Sequence, residues 1–166
     1  MAATADRATE TKALDAWVRL LRAHAATTRA LSADLLAEHG LTINDYEALL
    51  HLSRAEEGQM RRVDLAERLL LTASGVTRLL DGLEAAGLVD KAACAADRRV
   101  SYAVLTTSGR QRLEAASCAH VAAVRTLFGE RYTDDELDRL VELLGRLPGA
   151  GEADGADCAA GSSGPS

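Results

Sequence analysis

The fold is decided by residues 62–89, which read RVDLAERLLLTASGVTRLLDGLEAAGLV. Apolar residues recur in steps of three and four in both halves of this stretch, which is the spacing of amphipathic helices. A tight turn separates the two halves, and Thr72 or Ser74 can cap the second helix with its hydroxyl group. Gly87 is placed to end that helix. Two short helices joined by a tight turn are the parts of a helix-turn-helix.

A β-hairpin is predicted directly after the second short helix. Residues 88–92 form one segment, and residues 100–105 alternate large apolar and small side chains, which is the period of a strand. The charged residues between the two segments are interpreted as the tip of the hairpin. A hairpin in this position makes the wing of a winged helix. It is the only β-structure that the sequence predicts, since residues 55–61 have the composition of a polar loop.

Long amphipathic helices are predicted on both sides of this module. One covers about residues 11–38, and two more lie between about 107 and 147, with Gly129 placed to end the first of these two. Thr133 and Glu136 form a T-x-x-E capping box that begins the last helix. The small central module offers little surface for the apolar stripes of these helices. A second copy presenting the same helices is the simplest partner, so we expect a homodimer with twofold symmetry.

The domain organisation follows from these patterns. Residues 11–148 are expected to form a single, mainly α-helical domain with a small hairpin wing. Within it, the winged helix-turn-helix covers about residues 41–108, with dimerisation helices on either side. Residues 1–10 are expected to be a flexible arm. Residues 149–166, rich in Gly, Ala, Ser and Asp, are expected to be a disordered tail.

The charge of the chain is unevenly distributed. The 166 residues carry a net charge of −6, which by itself argues against a nucleic-acid partner. Residues 61–112, however, contain nine Arg and Lys and six Asp and Glu, a net charge of +3. All basic residues except Lys12 and Lys91 are arginines, which suit bidentate contacts with phosphates and bases. The middle of the chain is therefore the electropositive part of an otherwise acidic molecule.

Other classes of protein find no support in the sequence. No apolar run approaches the length of about 20 residues that spans a bilayer, and the first residues lack the pattern of a secretory signal. We therefore expect a cytoplasmic, nucleoid-associated protein. Three cysteines without C-x-x-C spacing and four histidines without H-x-x-x-H spacing argue against a disulfide framework and a metal site. No acid pair, Ser-His-Asp set or glycine-rich phosphate loop stands out, so we expect neither a cofactor nor enzymatic activity.

Residues 41–109 resemble the MarR family of bacterial transcription regulators. The matching segments, in chain order, are Leu41-Thr42-x-x-Asp45-Tyr46, Asp64 to Leu69, Val76 to Val89, Asp97-Arg98-Arg99, and Leu105-Thr106-Thr107-x-Gly109. With the flanking helices, the resemblance covers about residues 11–147. It implies a sequence-specific DNA-binding regulator, a ligand-responsive repressor that binds a pseudo-palindromic operator as a homodimer.

The resemblance also implies a set of DNA contacts. The helix at residues 73–86 would enter the major groove with its N-terminal end foremost. The residues implied there are Thr72, Ser74, Gly75, Thr77 and Arg78, with Gly75 allowing close approach of the backbone. In the wing, Arg99 would reach into the minor groove, Asp97 would hold its guanidinium group, and Arg98 would contact phosphate. Further candidates for phosphate contacts are Arg61, Arg62 and Arg110. Alternatively, Thr72 and Ser74 only cap the helix, and the wing residues form a solvated turn.

Two positions depart from the family pattern. Gly82 lies in the middle of the second short helix, where the family often has Arg or Lys, and it costs about 1 kcal/mol of helix stability relative to Ala. Arg62 stands at a helix start where Ser or Thr is common. Both departures affect the predicted DNA contacts rather than the predicted fold.

The effectors that the resemblance implies are small aromatic or phenolic anions, bound between the dimerisation helices and the winged module. The candidates to line such a site are Trp17, His24, Tyr46 and His51, which alternatively are packing residues. Two other functions stay open. Cys94 at the base of the wing suggests a redox-responsive regulator, and the acidic net charge suggests a winged helix that binds other proteins.

Overall fold

The computed structural model describes residues 2–93 and 101–148, with side chains described from residue 10 onward and not at residue 93. The predicted wing tip, with Cys94, Asp97, Arg98 and Arg99, lies outside the described residues, as does the predicted tail at 149–166. The chain divides between Ile43 and Asn44 into two compact units. None of the described helices has the length and apolar character needed to cross a bilayer.

The order of elements confirms a mainly helical chain with a helix-turn-helix followed by a wing. The elements are α1 (Ala2–His39), α2 (Ile43–Arg54), a short 3-10 turn (Glu56–Gly58), β1 (Gln59–Arg61), α3 (Arg62–Arg68), α4 (Ala73–Ala85), β2 (Val89–Ala93), β3 (Ser101–Leu105), α5 (Thr107–Gly129) and α6 (Asp134–Gly145). Helices α3 and α4 are the two halves of the helix-turn-helix, and β2 and β3 are the strands of the wing.

Helix α1 is longer than the sequence predicts. Residues 2–10, which the sequence analysis assigns to an arm, continue this helix. These residues include neither Gly nor Pro and are rich in alanine, the best helix former. At the other end, Gly40 adopts a φ of +67°, and the Leu41 amide donates to the Leu35 carbonyl at 3.4 Å, as in a glycine-ended helix.

The sheet has a third strand that the sequence does not predict. Strand β1 pairs antiparallel with β3, with Met60 opposite Ala103, so the strand order is β1-β3-β2. The polar loop expected over residues 55–61 is therefore wrong for β1. Three residues are too few to display an alternating pattern, and only Met60 among them is buried. The two wing strands therefore belong to a three-stranded sheet, and β1, which leads into α3, is the edge strand next to β3.

An aliphatic core holds the second unit together. Its largest completely buried side chains are Leu49, Leu52, Leu65, Leu80 and Val89. They come from α2, α3, α4 and β2, so one apolar cluster joins both halves of the helix-turn-helix to the wing strand. Burial of each such side chain contributes about 1.5–3 kcal/mol relative to exposure.

The junction between the wing and α5 depends on the absence of a side chain at Gly109. Thr106 caps α5, because its Oγ1 accepts from the Gly109 amide at 2.9 Å. The same hydroxyl donates to the Gly87 carbonyl at 2.8 Å, and the Thr106 amide donates to the Leu88 carbonyl at 3.2 Å. A Cβ atom on Gly109 would lie 2.1 Å from the Leu88 oxygen. The first turn of α5 therefore packs directly on the backbone that follows α4.

The two C-terminal helices confirm two predicted helix ends and correct one. Thr133 and Glu136 form the expected capping box at the start of α6. Helix α5 ends at Gly129, as the sequence predicts, and Glu130 is its C-cap with a φ of −74°. Helix α6 ends at Gly145, before the predicted end near residue 147.

Candidate nucleic-acid interface

Helix α4 has one buried face and one exposed polar face. Val76, Leu80 and Leu83 are buried. Ser74 and Arg78, one turn apart, are exposed on another face of the helix. Such a helix packs on its own module through aliphatic side chains and presents hydroxyl and guanidinium groups to a partner.

The N-terminus of α4 is capped by Thr72. Its Oγ1 accepts from the Gly75 amide at 3.1 Å and lies 3.2 Å from the hydroxyl of Ser74. Of the two predicted caps, Thr72 is therefore the one that acts, which leaves Ser74 as an exposed hydroxyl in the first turn. A Cβ on Gly75 would lie 3.2 Å from Thr72 Oγ1, so the space at Gly75 accommodates the cap. The positive end of the helix dipole lies here, where an anion is favoured.

The hydroxyl of Thr77 is occupied within the protein. It donates to the Ala73 carbonyl at 2.7 Å and accepts from Arg62 Nη2 at 2.6 Å. The sequence suggested Thr77 as a short hydrogen-bonding group for DNA, but its O–H donor is used within the protein, which leaves its methyl group and one acceptor lone pair for a ligand. The link to Arg62 was missed because it joins residues 15 positions apart on different helices.

The arginines near α4 differ in availability. Arg61 is engaged by Asp64, with Nε at 2.7 Å and Nη2 at 2.6 Å from the two carboxylate oxygens. This hydrogen bonding lowers the pKa of Asp64 and raises that of Arg61. Arg78 is exposed, and no hydrogen bond or ion pair joins it to the described residues of the chain. Arg78 is therefore the cation of α4 that is available to a nucleic acid.

The turn between α3 and α4 contains a strained leucine. Leu70 has a φ of +53° and a side chain that is 92% exposed. The Leu71 amide donates to the Ala66 carbonyl at 3.0 Å, which closes the turn after α3. A left-handed conformation is costly for a residue with a Cβ, and helix-ending turns of this kind usually contain glycine. The sequence offered no signal for this strain, because leucine at this position matches an apolar helical pattern.

The four candidate effector residues fall in different surroundings. Trp17, 56% exposed, and His24, also exposed, belong to α1 in the first unit. In the second unit, His51 is half-buried and Tyr46 is buried. The Tyr46 ring lies 4.6 Å from that of His120, and its hydroxyl lies 3.3 Å from Ser117 Oγ.

His120 is a neighbour of Tyr46 that the sequence analysis did not include among its candidates. Its Nδ1 is buried without a hydrogen-bond partner among the described residues. Burial lowers the pKa of His120 below its ordinary value of 6.5. Tyr46, Ser117 and His120 therefore form a small polar cluster between α2 and α5.

Comparison with known proteins identifies the family of this chain. The family model described as "MarR family" matches residues 39–100. Among curated proteins, the HTH-type transcriptional repressor YetL of Bacillus subtilis is 33% identical over 111 residues, which cover 67% of this chain and 66% of YetL.

Solved structures agree with this match. AbsC, a MarR family transcriptional regulator from Streptomyces coelicolor, is 35% identical with a TM-score of 0.71, over 79% of this chain and 88% of AbsC. Sco3205, a MarR family regulator from the same organism solved in complex with DNA, is 26% identical with a TM-score of 0.74, over 80% of this chain and 83% of Sco3205. From its helix-turn-helix, its wing and these matches, the chain belongs to the MarR family of transcriptional regulators.

Proposed function

We propose that this protein is a sequence-specific repressor that inserts the N-terminal end of α4 into the major groove of its operator. The observation that carries the proposal is the capped N-terminus of α4, with Ser74 and Arg78 exposed on this helix. An exposed guanidinium group can bind guanine O6 and N7 bidentately, and a hydroxyl can contact either base or phosphate. The relatives support the proposal, since YetL is named a repressor and Sco3205 was solved with DNA.

The roles of the remaining site residues belong to the same proposal. Thr77 contacts thymine through its methyl group, because its hydroxyl is already bonded to Ala73 and Arg62. Arg62 anchors α3 to α4 and offers its other N–H groups to a phosphate. The wing residues Asp97, Arg98 and Arg99 contact the minor groove and backbone as the family resemblance implies.

The protein acts in this proposal as a homodimer. Helix α6 has no buried residue in the single chain, and its Val141, Leu143 and Leu144 side chains are exposed, with Val141 at 72%. Leu14 and Trp17 are likewise exposed on α1, in the first unit. Apolar stripes on both terminal regions need a partner, and a second copy supplies the same stripes. Two copies of α4 would then lie about 34–36 Å apart, one turn of B-form DNA.

A small aromatic or phenolic anion is the effector in this proposal, and the protein acts in the cytoplasm. The exposed indole of Trp17 provides a stacking surface for such a ligand, and His24 is a hydrogen-bonding group on the same helix. A ligand that binds better to a dimer with misaligned α4 helices would release the operator. A thermal-shift screen of aromatic carboxylates and phenols, repeated with Trp17→Ala, tests this part.

Selection from a random duplex library tests the proposal as a whole. The purified protein is expected to enrich one pseudo-palindromic sequence. Arg78→Ala is expected to weaken binding of that sequence by at least tenfold, since a bidentate base contact contributes about 1–3 kcal/mol of discrimination. Arg125→Ala, which removes an exposed arginine from α5, is the matched control and should change the Kd by less than about threefold. If no sequence is enriched, the protein-binding alternative replaces the repressor.

A further inference from the structure

A single lysine of the wing meets two carboxylates of α4. Lys91 Nζ lies 2.7 Å from Asp81 Oδ1 and 2.5 Å from Glu84 Oε2. Lys91 lies in the middle of β2, whereas the two acids lie one turn apart in the C-terminal half of α4. The ion pairs therefore tie the first strand of the wing to the helix that is proposed to read the bases.

Both ends of this bridge are anchored. In the β2–β3 ladder, Lys91 pairs with Ala103, which is buried. On the helix, Arg78 follows Ser74 by four residues and Asp81 follows Arg78 by three, so the three side chains share one face. A rotation of α4 against β2 would break the bridge and would move Ser74 and Arg78 with it.

The charges of the cluster argue against a role in attracting DNA. One cation between two carboxylates leaves a net charge of −1, which repels phosphates. The hydrogen bond from Lys91 lowers the pKa of Asp81, and the bonds to Asp81 and Glu84 raise the pKa of Lys91, so this pair stays ionised at neutral pH. All three side chains are partly exposed, and exposed ion pairs contribute little to the stability of the whole protein.

We propose that Lys91 is a positioning residue, which uses Asp81 and Glu84 to hold the wing strand at a set angle to α4. The bridge restricts the angles that the wing samples before binding, so a larger fraction of molecules can place the wing and α4 on one DNA site together. This inference rests on the proposed function. None of the three residues needs to touch DNA for the effect.

The test combines Asp81→Asn with Glu84→Gln in the full-length protein. Fluorescence anisotropy measures the Kd for the selected operator and for an unrelated duplex. If charge alone matters, removing two negative charges tightens binding to both duplexes. If the bridge positions the wing, the double variant binds the operator more weakly, with a Kd about two- to tenfold higher than that of the wild type. Its preference for the operator over the unrelated duplex therefore falls.

The matched control is Asp90→Asn, which removes an exposed acid next to Lys91 on the same strand without touching the bridge. This variant should bind both duplexes as tightly as the wild type or more tightly. If the double variant and Asp90→Asn have the same Kd for the operator, the positioning role is overturned and the proposed function is unaffected. A wild type that binds no duplex would reject the proposed function and this inference with it. If the double variant has a lower Tm than the wild type, the single variant Asp81→Asn is used instead, and its Kd for the operator is compared with that of Asp90→Asn.

Discussion

Replacing Gly109 with alanine tests the junction between the wing and α5. The new Cβ would lie 2.1 Å from the Leu88 oxygen and 2.8 Å from Leu105 Cδ1, whereas non-bonded carbon atoms pack best at about 3.5–4.0 Å. The start of α5 must therefore move by roughly 1 Å, with strain of about 1–3 kcal/mol. That movement also weakens the two hydrogen bonds from Thr106 to Gly87 and Leu88, each contributing about 0.5–1.5 kcal/mol.

The gain in helix propensity from alanine offsets about 1 kcal/mol of this cost. The expected net loss is thus about 2–4 kcal/mol in the free energy of unfolding, or roughly 5–15 °C in Tm. Urea and thermal unfolding followed by far-UV circular dichroism measure it. All variants are compared at one protein concentration, because the proposed dimerisation would make the stability depend on concentration.

Two other glycines provide matched controls for this substitution. Gly82 and Gly129 are helical, and a Cβ at either position would meet nothing within 4 Å. Gly82→Ala is expected to raise the free energy of unfolding by about 0.5–1 kcal/mol through helix propensity alone. If Gly109→Ala proves as stable as Gly82→Ala, the packing of α5 on the Leu88 carbonyl is not as described.

Three further substitutions test separate features. Leu70→Gly is expected to stabilise the protein by about 0.5–1 kcal/mol in urea unfolding, because relief of the left-handed strain exceeds the entropy cost of glycine and the lost side chain is exposed; a destabilised variant would contradict the strain. Thr77→Val should keep the base preferences of the wild type in a duplex-library selection, because the hydroxyl is bonded to Ala73 and Arg62; a tenfold loss confined to one base pair would show that the hydroxyl reads DNA. Burial lowers the folded-state pKa of His120 below 6.5, so the unfolded chain binds more protons and the wild type loses stability as the pH falls through 6.5. His120→Gln should remove that part of the slope in unfolding measured from pH 7.5 down to 5, and equal slopes for the two proteins would reject the assignment.

Helix starts are the features that local sequence predicted best. Thr72 and Thr133 each cap a helix, as their positions before amphipathic segments indicated. A cap hydrogen bond joins residues only three apart, so it needs no tertiary partner.

The candidate interface was predicted in its residues but not in its hydrogen bonds. The sequence singled out Ser74 and Arg78, and both are exposed on α4. It did not link Arg62 to Thr77 or Lys91 to Asp81, because these partners lie 15 and 10 positions apart and no periodic pattern relates them. Burial of the aliphatic core determines which of these distant side chains meet.

By itself, the sequence determined the order of the helices and wing strands, the capping box of α6, and the apolar face of α4 that packs inward at Val76 and Leu80. Only the tertiary structure decided the pairing of β1 with β3 and the close approach of Gly109 to Leu88. The physical reason is the distance along the chain over which each interaction acts. Periodicity and caps act within one or two turns of chain, whereas strand pairing and backbone packing depend on segments that become neighbours only when the core is buried.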